Sequence, residues 1–230
     1  MKEVLLSIDC GTQSLRAILF STTGELIHSE KVAYEPYFSP KPGWAEQDPE
    51  ILWNSLCKAC QSLKENQPDL FNHILGVGVT TQRDTMINVD KEGIPLRNAI
   101  TWLDQRKAKK TYTPNPIMGI IFRAVGMYDA LVKTQTDGKC NWIKQNEPDI
   151  WSKTYKYLQV SGFLNFRLTG LFLDSIGSQI GHIPFDYKKM KWSKKGSLNY
   201  LLFPVEIEKL PDLVAPGEII GKIIPSAAKL

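Results

Sequence analysis

The sequence predicts an α/β domain in which a mixed sheet begins with an antiparallel meander of three strands and is flanked by helices. Three observations support this fold class: short apolar runs separated by polar turns across residues 4–34, a helix-start signal at Asp48-Pro49-Glu50, and later strand-like runs that alternate with helical patterns. The 230 residues suffice for a sizeable core, because a chain of this length buries roughly 70% of its unfolded surface.

The meander is predicted from apolar runs and the turns between them. Its strands are expected at Val4–Ile8, Leu15–Phe20 and Glu25–Ala33. The second turn contains Gly24, which can adopt the positive φ angle that such turns often require. The first turn is longer and more polar than a tight hairpin needs.

A helix is predicted to begin at Asp48-Pro49-Glu50, because an aspartate cap, a proline at the first position and an acid in the first turn are typical of helix starts. The apolar residues at helical spacing are Leu52, Leu56, Ala59, Cys60 and Leu63. A strand follows at Ile74–Thr80. In it Gly76 and Gly78 lie two residues apart, which predicts close packing of a neighbour on that side.

The remaining elements are predicted from similar local cues. They are strands at Met86–Val89 and Ala99–Trp102, a mainly helical stretch with a loose middle at 104–150, a helix from Val160 closed by Gly170, and proline-punctuated loop with short extended pieces after residue 200.

Charge and composition exclude some function classes. The net charge of +4 is mild, and the basic clusters 106–110 and 188–191 are typical of solvated faces. The longest nearly uncharged apolar stretch, Ile117–Phe122, is far too short to span a membrane. We therefore expect no nucleic acid and no membrane as partners. Residues 1–3 lead directly into a strand without a secretory leader, which predicts a cytoplasmic protein.

Cys57 and Cys60 have the spacing of a metal or redox pair. No second pair follows, and no histidine lies near them in the sequence. Because both fall inside the predicted helix, we interpret them as buried thiols. The histidines His28, His73 and His182 are far apart and indicate neither a metal cluster nor a catalytic triad.

The polar turn at 9–14 has the groups that bind phosphate. Asp9 ends the first strand, where a carboxylate can orient a hydrated divalent cation. The hydrogen-bond donors and the cation beside it are Gly11, Thr12, Gln13, Ser14 and Arg16. Converging donors of this kind suit phosphate oxygens. The turn is not a P-loop, since it joins two strands and lacks G-x-x-x-x-G-K-[ST], and a polar hairpin at the sheet rim is the alternative.

A second cluster of polar residues follows the predicted strand Ile74–Thr80. Gln82, Arg83 and Asp84 place an amide, a guanidinium and a carboxylate side by side. This combination suits a polyhydroxylated ligand, because the arginine donates hydrogen bonds and the carboxylate accepts them. The alternative is an exposed Arg–Asp pair, which contributes little to stability.

With both groups in view, the sequence resembles the N-terminal half of the FGGY carbohydrate kinases, the family of glycerol kinase, xylulokinase and gluconokinase. Four segments in the family's order carry the resemblance: Asp9–Arg16 is similar to the first phosphate motif, Pro42–Pro49 to P-G-W-x-E-Q-D-P, Gln82–Thr85 to the Q-R-E-T of glycerol kinases, and Asn98–Arg106 to N-A-I-x-W-x-D-x-R. The likeness covers essentially the whole chain.

The resemblance implies an actin-like ATPase, ribonuclease-H-like fold and a site for ATP, Mg²⁺ and a carbohydrate. The residues implied to face the nucleotide phosphates are Gly11, Thr12, Gln13, Ser14 and Arg16. Those implied to bind substrate are Gln82, Arg83, Asp84, Trp102 and Asp104. Asp9 is the candidate catalytic residue of this chain and is implied to contact the metal through water.

The resemblance further implies that residues 1–230 form the substrate-binding lobe of an ATP-dependent sugar or polyol kinase. The general base and the adenine pocket are expected in a C-terminal domain outside this chain, so the lobe alone is expected to be inactive. Asp84 replaces a glutamate of glycerol kinases, and residues 133–136 contain no counterpart of their substrate-site tyrosine, which disfavours glycerol. Alternatives are a non-catalytic sugar-sensing or assembly module on this fold and another actin-like ATPase. A homodimer is a further expectation.

Overall fold

The computed structural model describes residues 3–229. In this part of the chain the strands are β1 (Val4–Cys10), β2 (Ser14–Ser21), β3 (Leu26–Ala33), β4 (Glu46–Gln47), β5 (Ile74–Thr81), β6 (Met86–Val89), β7 (Ala99–Ile100), β8 (Lys156–Gln159), β9 (Leu173–Ser175), β10 (Phe185–Asp186), β11 (Lys191–Trp192) and β12 (Asp212–Val214). The α-helices are α1 (Pro49–Asn66), α2 (Pro68–Phe71), α3 (Pro116–Ala124), α4 (Tyr128–Thr136), α5 (Lys139–Asn146), α6 (Pro148–Lys153), α7 (Val160–Thr169), α8 (Leu198–Leu202) and α9 (Pro225–Ala228).

The first sheet has the strand order β3-β2-β1-β5. β1, β2 and β3 pair antiparallel, whereas β5 pairs parallel to β1, which confirms the predicted meander and mixed sheet. Gly24 in the second turn has a φ of +91°. Because β1 and β5 run in the same direction, with Cys10 opposite Thr81, the segments that follow them leave the sheet at the same edge.

The core of this sheet lies against α1 and α7. Alternate side chains of β1 and β2 face it, as strand geometry requires. The buried residues are Val4, Leu6 and Ile8 from β1, Leu15, Ala17 and Leu19 from β2, Leu52, Leu56 and Leu63 from α1, and Phe163 and Leu164 from α7. As predicted, Asp48 caps α1, because its side chain accepts a hydrogen bond from the Glu50 N–H at 3.0 Å, and Gly170 ends α7 with a φ of +74°.

A second sheet, of order β4-β7-β6-β8, packs against α4, α5 and α6, which lie between β7 and β8 in the chain. The helical stretch predicted from residue 104 begins only at Pro116. The loop before it is fixed by the buried Gln135, whose Oε1 accepts hydrogen bonds from the N–H groups of Thr111 and Tyr112 at 2.9 and 2.8 Å. A side chain from α4 thus supplies the partners that a helix would have provided.

The glycines of β5 do not pack closely against a neighbour, so that prediction is wrong. A methyl group built on Gly78 meets no atom within 4 Å, and one on Gly76 meets only Leu5 at 3.9 Å. No described residue other than Leu5 approaches the face of β5 to which these glycines point.

Cys57 and Cys60 lie on α1, as predicted, and both are half-buried and free. Burial raises the pKa of the Cys60 thiol to about 12, and that of Cys57 is also raised. Residues 3–229 contain no group of three or more side chains able to hold a metal ion. None of the helices in that range has the length and apolar character required to cross a bilayer.

Asp174 lies in β9 and is fully buried, and its side chain connects this strand to the start of α7. Its carboxylate accepts hydrogen bonds from Ser161 Oγ at 2.8 Å, Gln179 Nε2 at 2.7 Å and the Ser175 N–H at 2.8 Å. Burial nevertheless raises the pKa of Asp174 to about 6, because desolvation penalises the ionised form.

Asp174 should therefore make the stability of the protein depend on pH. The pKa of Asp174 is higher in the folded than in the unfolded state, so the folded state binds the proton more tightly. The contribution of Asp174 to the free energy of unfolding should therefore fall by roughly 2 kcal/mol as the pH rises from about 4 to about 6. Urea unfolding of the wild type and Asp174→Asn across this range tests it. The free energy of unfolding of the wild type minus that of Asp174→Asn should decrease as the pH rises. A difference that stays constant with pH would contradict the raised pKa of Asp174.

Candidate active-site cleft

The turn after β1 and the end of β5 line one cleft of about 570 Å³. Its lining residues are Gly11, Thr12, Gln82, Arg83, Asp84, Trp102, Ile180 and Gly181. The parallel pairing of the two strands brings these segments together, and the Gln82 N–H extends that pairing with a hydrogen bond to the Cys10 carbonyl at 2.7 Å. The structure therefore brings Gly11 and Thr12 of the phosphate-type turn together with the amide–guanidinium–carboxylate group.

The polar turn is held in place by the end of β3 and the residue after it. The Gly11 N–H bonds the Ser14 carbonyl at 2.9 Å, Tyr34 Oη donates to the Gly11 carbonyl at 2.7 Å, and the Tyr34 N–H bonds the Gln13 carbonyl at 3.0 Å. Within residues 3–229, no hydrogen bond uses the N–H of Thr12 or Gln13. Two donors of a rigid turn thus remain available to an anion.

Asp9 and Arg16 lie opposite each other on β1 and β2. Their side chains are 44% and 47% exposed and form a long ion pair of 3.4 Å. Neither lines the cleft, nor do the exposed Gln13 and the half-buried Ser14, although all four belong to the turn or its flanking strands. An exposed pair of this length is weak, so both side chains can rearrange toward a ligand.

Asp84 is held by residues far away in the sequence. It has a φ of +56°, and its carboxylate accepts hydrogen bonds from Lys139 Nζ at 2.7 Å, His182 Nδ1 at 3.1 Å and the His182 N–H at 3.2 Å. Burial alone would raise the pKa of Asp84, but the His182 hydrogen bond and the Lys139 charge outweigh it and lower that pKa. The carboxylate is therefore ionised at neutral pH.

Arg83 has a different environment from its neighbour. It is exposed, lines the cleft, and makes no ion pair or hydrogen bond with any residue of the range 3–229. The acid beside it binds Lys139 instead. The interpretation as an Arg–Asp pair therefore does not describe this site, and the guanidinium is free to bind a ligand.

Gln47 and Trp102 connect the two sides of the cleft. Trp102 Nε1 donates to Thr12 Oγ1 at 3.1 Å, and Gln82 Nε2 donates to Oε1 of the buried Gln47 at 3.0 Å. Gln47 Nε2 in turn lies 3.5 Å from the Thr12 carbonyl. Gln47 was not predicted as a site residue, although it lies in Pro42–Pro49, one of the four segments that carry the family resemblance.

Asp104, which was expected to bind substrate, does not line the cleft. Its side chain is 2% exposed and bonds the Ala45 N–H at 2.7 Å and the Arg106 guanidinium at 2.8 Å. Arg106 also bonds Glu46 at 2.9 Å and stacks on Trp44. The Asp104 carboxylate thus holds the segments 42–49 and 98–106 together in this structure, and its role in substrate binding stays a prediction.

The mixed sheet, its helices and the cleft at the end of parallel strands define a domain of the actin-like, ribonuclease-H-like class found in sugar kinases. The model of the FGGY family of carbohydrate kinases, N-terminal domain, matches residues 4–230. The chain belongs to this family.

Relatives and solved structures agree with this membership. The chain is 29% identical to a glycerol kinase of Thermococcus kodakarensis, over 96% of this chain and 44% of that protein. It is 24% identical to a xylulose kinase of Staphylococcus xylosus, over 95% of this chain and 44% of the relative. The crystal structure of a xyloylose kinase from Brucella ovis shares the fold, with a TM-score of 0.81 and 24% identity over 97% of this chain and 46% of that one. The chain thus spans less than half the length of these proteins.

Proposed function

We propose that this chain is the substrate-binding lobe of an ATP-dependent kinase that phosphorylates a hydroxyl group of a sugar or polyol. The observation that carries the proposal is the single cleft in which the turn at Gly11–Thr12 faces Arg83 and Asp84. Phosphoryl transfer depends mainly on positioning and on stabilisation of charge. A cleft that presents phosphate donors on one side and hydroxyl-binding groups on the other supplies both.

ATP phosphates are assigned to the turn. The N–H groups of Thr12 and Gln13 are the free donors, Gly11 leaves room for close approach, and Ser14 and Arg16 add a hydroxyl group and a positive charge. Backbone donors and a guanidinium are groups that bind phosphate strongly. The adenine pocket belongs, in this proposal, to a C-terminal domain outside residues 1–230.

Mg²⁺ fits Asp9 through water. This ion keeps several waters and is usually held by one or two carboxylates together with substrate phosphates. The half-exposed carboxylate of Asp9 meets that need, and residues 3–229 contain no larger group of possible ligands. When bound, the ion would neutralise charge on the transferring phosphate, and Asp9 would orient its water shell.

The carbohydrate is assigned to the side of the cleft formed by Gln82, Arg83, Asp84 and Trp102. Arg83 donates to substrate oxygens, and Asp84 has lone pairs left to accept from a hydroxyl group. Gln82 Oε1 is buried without a hydrogen-bond partner in residues 3–229, and a hydroxyl group would satisfy it. Trp102 is 51% exposed and offers its ring to the C–H face of a sugar.

Arg83→Ala should weaken carbohydrate binding about 10- to 100-fold, since hydrogen bonds to charged groups contribute about 1.5–3 kcal/mol. The unfolding midpoint should stay unchanged, because Arg83 is exposed and unbonded in residues 3–229. Calorimetric titration with a panel of sugars and polyols, with thermal unfolding alongside, measures both. Arg123→Ala, which removes an exposed arginine outside the cleft, is the matched control. Unchanged affinity with a sharply lower melting temperature would make Arg83 structural.

Residues 1–230 alone should bind substrate weakly and turn over negligibly, because the general base and adenine pocket are assigned to the other domain. A coupled assay for ADP release, with and without sugar, tests this. Sugar-dependent ADP release by this chain alone would contradict the division of labour between the two domains.

The proposal places the protein in the cytoplasm, because all four cysteines are free thiols, as is usual in a reducing compartment. A homodimer stays a prediction, which sedimentation equilibrium tests.

A further inference from the structure

Resting on the proposed function, we infer that the carbohydrate side of the cleft selects a substrate that carries a carboxylate, namely a sugar acid, and that Arg83 binds this carboxylate. The inference depends on the balance of charges around the cleft and on the polar groups that remain without partners.

The Arg83 charge is uncompensated. Its guanidinium lines the cleft and has no ion-pair partner among residues 3–229. Asp84, the carboxylate next to it, is neutralised by Lys139 Nζ at 2.7 Å. Asp9 in turn lies opposite Arg16 at 3.4 Å. The charged groups in and beside the cleft therefore have a net charge of +1 when His182 is neutral.

Lys139 is central to this balance because it changes what Asp84 can do. The side chain of Lys139 is 7% exposed, so its charge is held against Asp84 and not dispersed in solvent. Together with the two hydrogen bonds from His182, it occupies most of the acceptor capacity of the carboxylate. Asp84 therefore offers little negative charge to a neutral polyol and does not balance Arg83.

The other groups of the cleft suit a polyhydroxylated acid. An arginine can bind a carboxylate through two parallel hydrogen bonds, a geometry that hydroxyl groups do not match. Gln82 Oε1 lacks a partner within the described residues and can accept from a hydroxyl group of the same molecule. Trp102 and Ile180, both partly exposed, offer an apolar wall to its C–H groups.

A phosphate is the other anion that Arg83 could bind, and the experiment must separate the two. Calorimetric titrations of the 230-residue chain compare gluconate with glucitol and xylonate with xylitol. Each pair shares its carbon skeleton and exchanges a carboxylate for a hydroxymethyl group. Inorganic phosphate is titrated as the third ligand, and again in the presence of gluconate.

We expect each acid to bind at least about tenfold more tightly than its alditol, in line with the strength of charge-assisted hydrogen bonds. Arg83→Gln should reduce that ratio to about threefold or less, whereas the control Arg123→Gln should leave it unchanged. Raising the ionic strength from about 0.05 M to about 0.5 M should lower acid affinity more than alditol affinity, because salt screens the charge.

Other outcomes would overturn the inference. Equal or tighter binding of the alditols would leave the proposed function standing and remove the preference for an acid. An acid preference that persists in Arg83→Gln would exclude Arg83 as its cause. Phosphate that binds more tightly than gluconate and displaces it would make Arg83 a phosphate-binding residue. Failure of both acids to bind, while another sugar or polyol of the panel does bind, would overturn this inference and leave the proposed function standing.

Discussion

Replacing Arg106 with alanine is expected to lower the free energy of unfolding by about 3–5 kcal/mol, the usual cost of removing one partner from a buried ion pair. The Arg106 side chain is 2% exposed, as is that of Asp104, which it bonds at 2.8 Å. Without the guanidinium, Asp104 would be a buried carboxylate with no cation in contact. Glu46 would retain Arg97, 2.8 Å away, so Asp104 accounts for most of the expected loss.

Arg123→Ala is the matched control for this variant. Arg123 also stacks on an aromatic ring, that of Tyr128 at 4.2 Å, but it is exposed and has no ion pair within residues 3–229. Its removal should cost less than about 1 kcal/mol. Urea unfolding of both variants and the wild type gives the comparison. If Arg106→Ala loses no more stability than Arg123→Ala, the buried network does not stabilise the fold.

Gly181→Ala is expected to reduce carbohydrate affinity by at least about tenfold, because it displaces Asp84. A Cβ atom on Gly181 would overlap Asp84 Oδ1, and Gly181 has a φ of +107°. The carboxylate would have to move away from His182, and it would lose the hydrogen bond of 3.2 Å that it accepts from the His182 N–H. Strain at positive φ should also lower the free energy of unfolding, by about 1–3 kcal/mol.

Gly24→Ala separates these two effects. Gly24 has a similar φ of +91°, but a Cβ atom there meets nothing within 4 Å. This variant should lose stability from backbone strain and keep its affinity for the carbohydrate that binds best in the panel. Equal affinity of Gly181→Ala and the wild type would show that the position of Asp84 does not matter for binding.

Much of the fold could be predicted because the signals are local. The meander follows from alternating apolar residues, and the start of α1 from the capping signal at Asp48-Pro49-Glu50. Where a distant residue decides the structure, local patterns fail. The loop before α3 is such a case, since its backbone is bonded by Gln135, about two dozen residues along the chain.

The same reasoning explains which residues of the cleft the sequence could locate. The turn at Gly11–Thr12 and the pair Arg83–Asp84 could be located because each forms a continuous polar segment after a strand. Lys139 and His182 were missed because they lie 55 and 98 residues from Asp84 in sequence. No spacing connects them to it, and only the folded chain brings the three together.

Asp104 illustrates a distinction that the sequence does not make. The family resemblance implied both Asp84 and Asp104 as substrate-binding acids. Burial decides between them, and it depends on Arg106 and on Ala45, a residue from a segment 59 positions earlier. The sequence could locate the polar segments, but only packing distinguishes an acid that lines the cleft from one that holds two segments together.

The central claim is that the phosphate turn and the end of β5 serve one cleft, and backbone-amide NMR tests it most directly. The ¹⁵N-labelled chain is titrated separately with ATP–Mg²⁺ and with the best-binding carbohydrate of the panel. The account predicts that the nucleotide shifts the signals of Gly11–Ser14, that the carbohydrate shifts those of Arg83, Asp84 and Gly181, and that both shift Thr12 or Trp102. Shifts confined to opposite faces of the domain would contradict it.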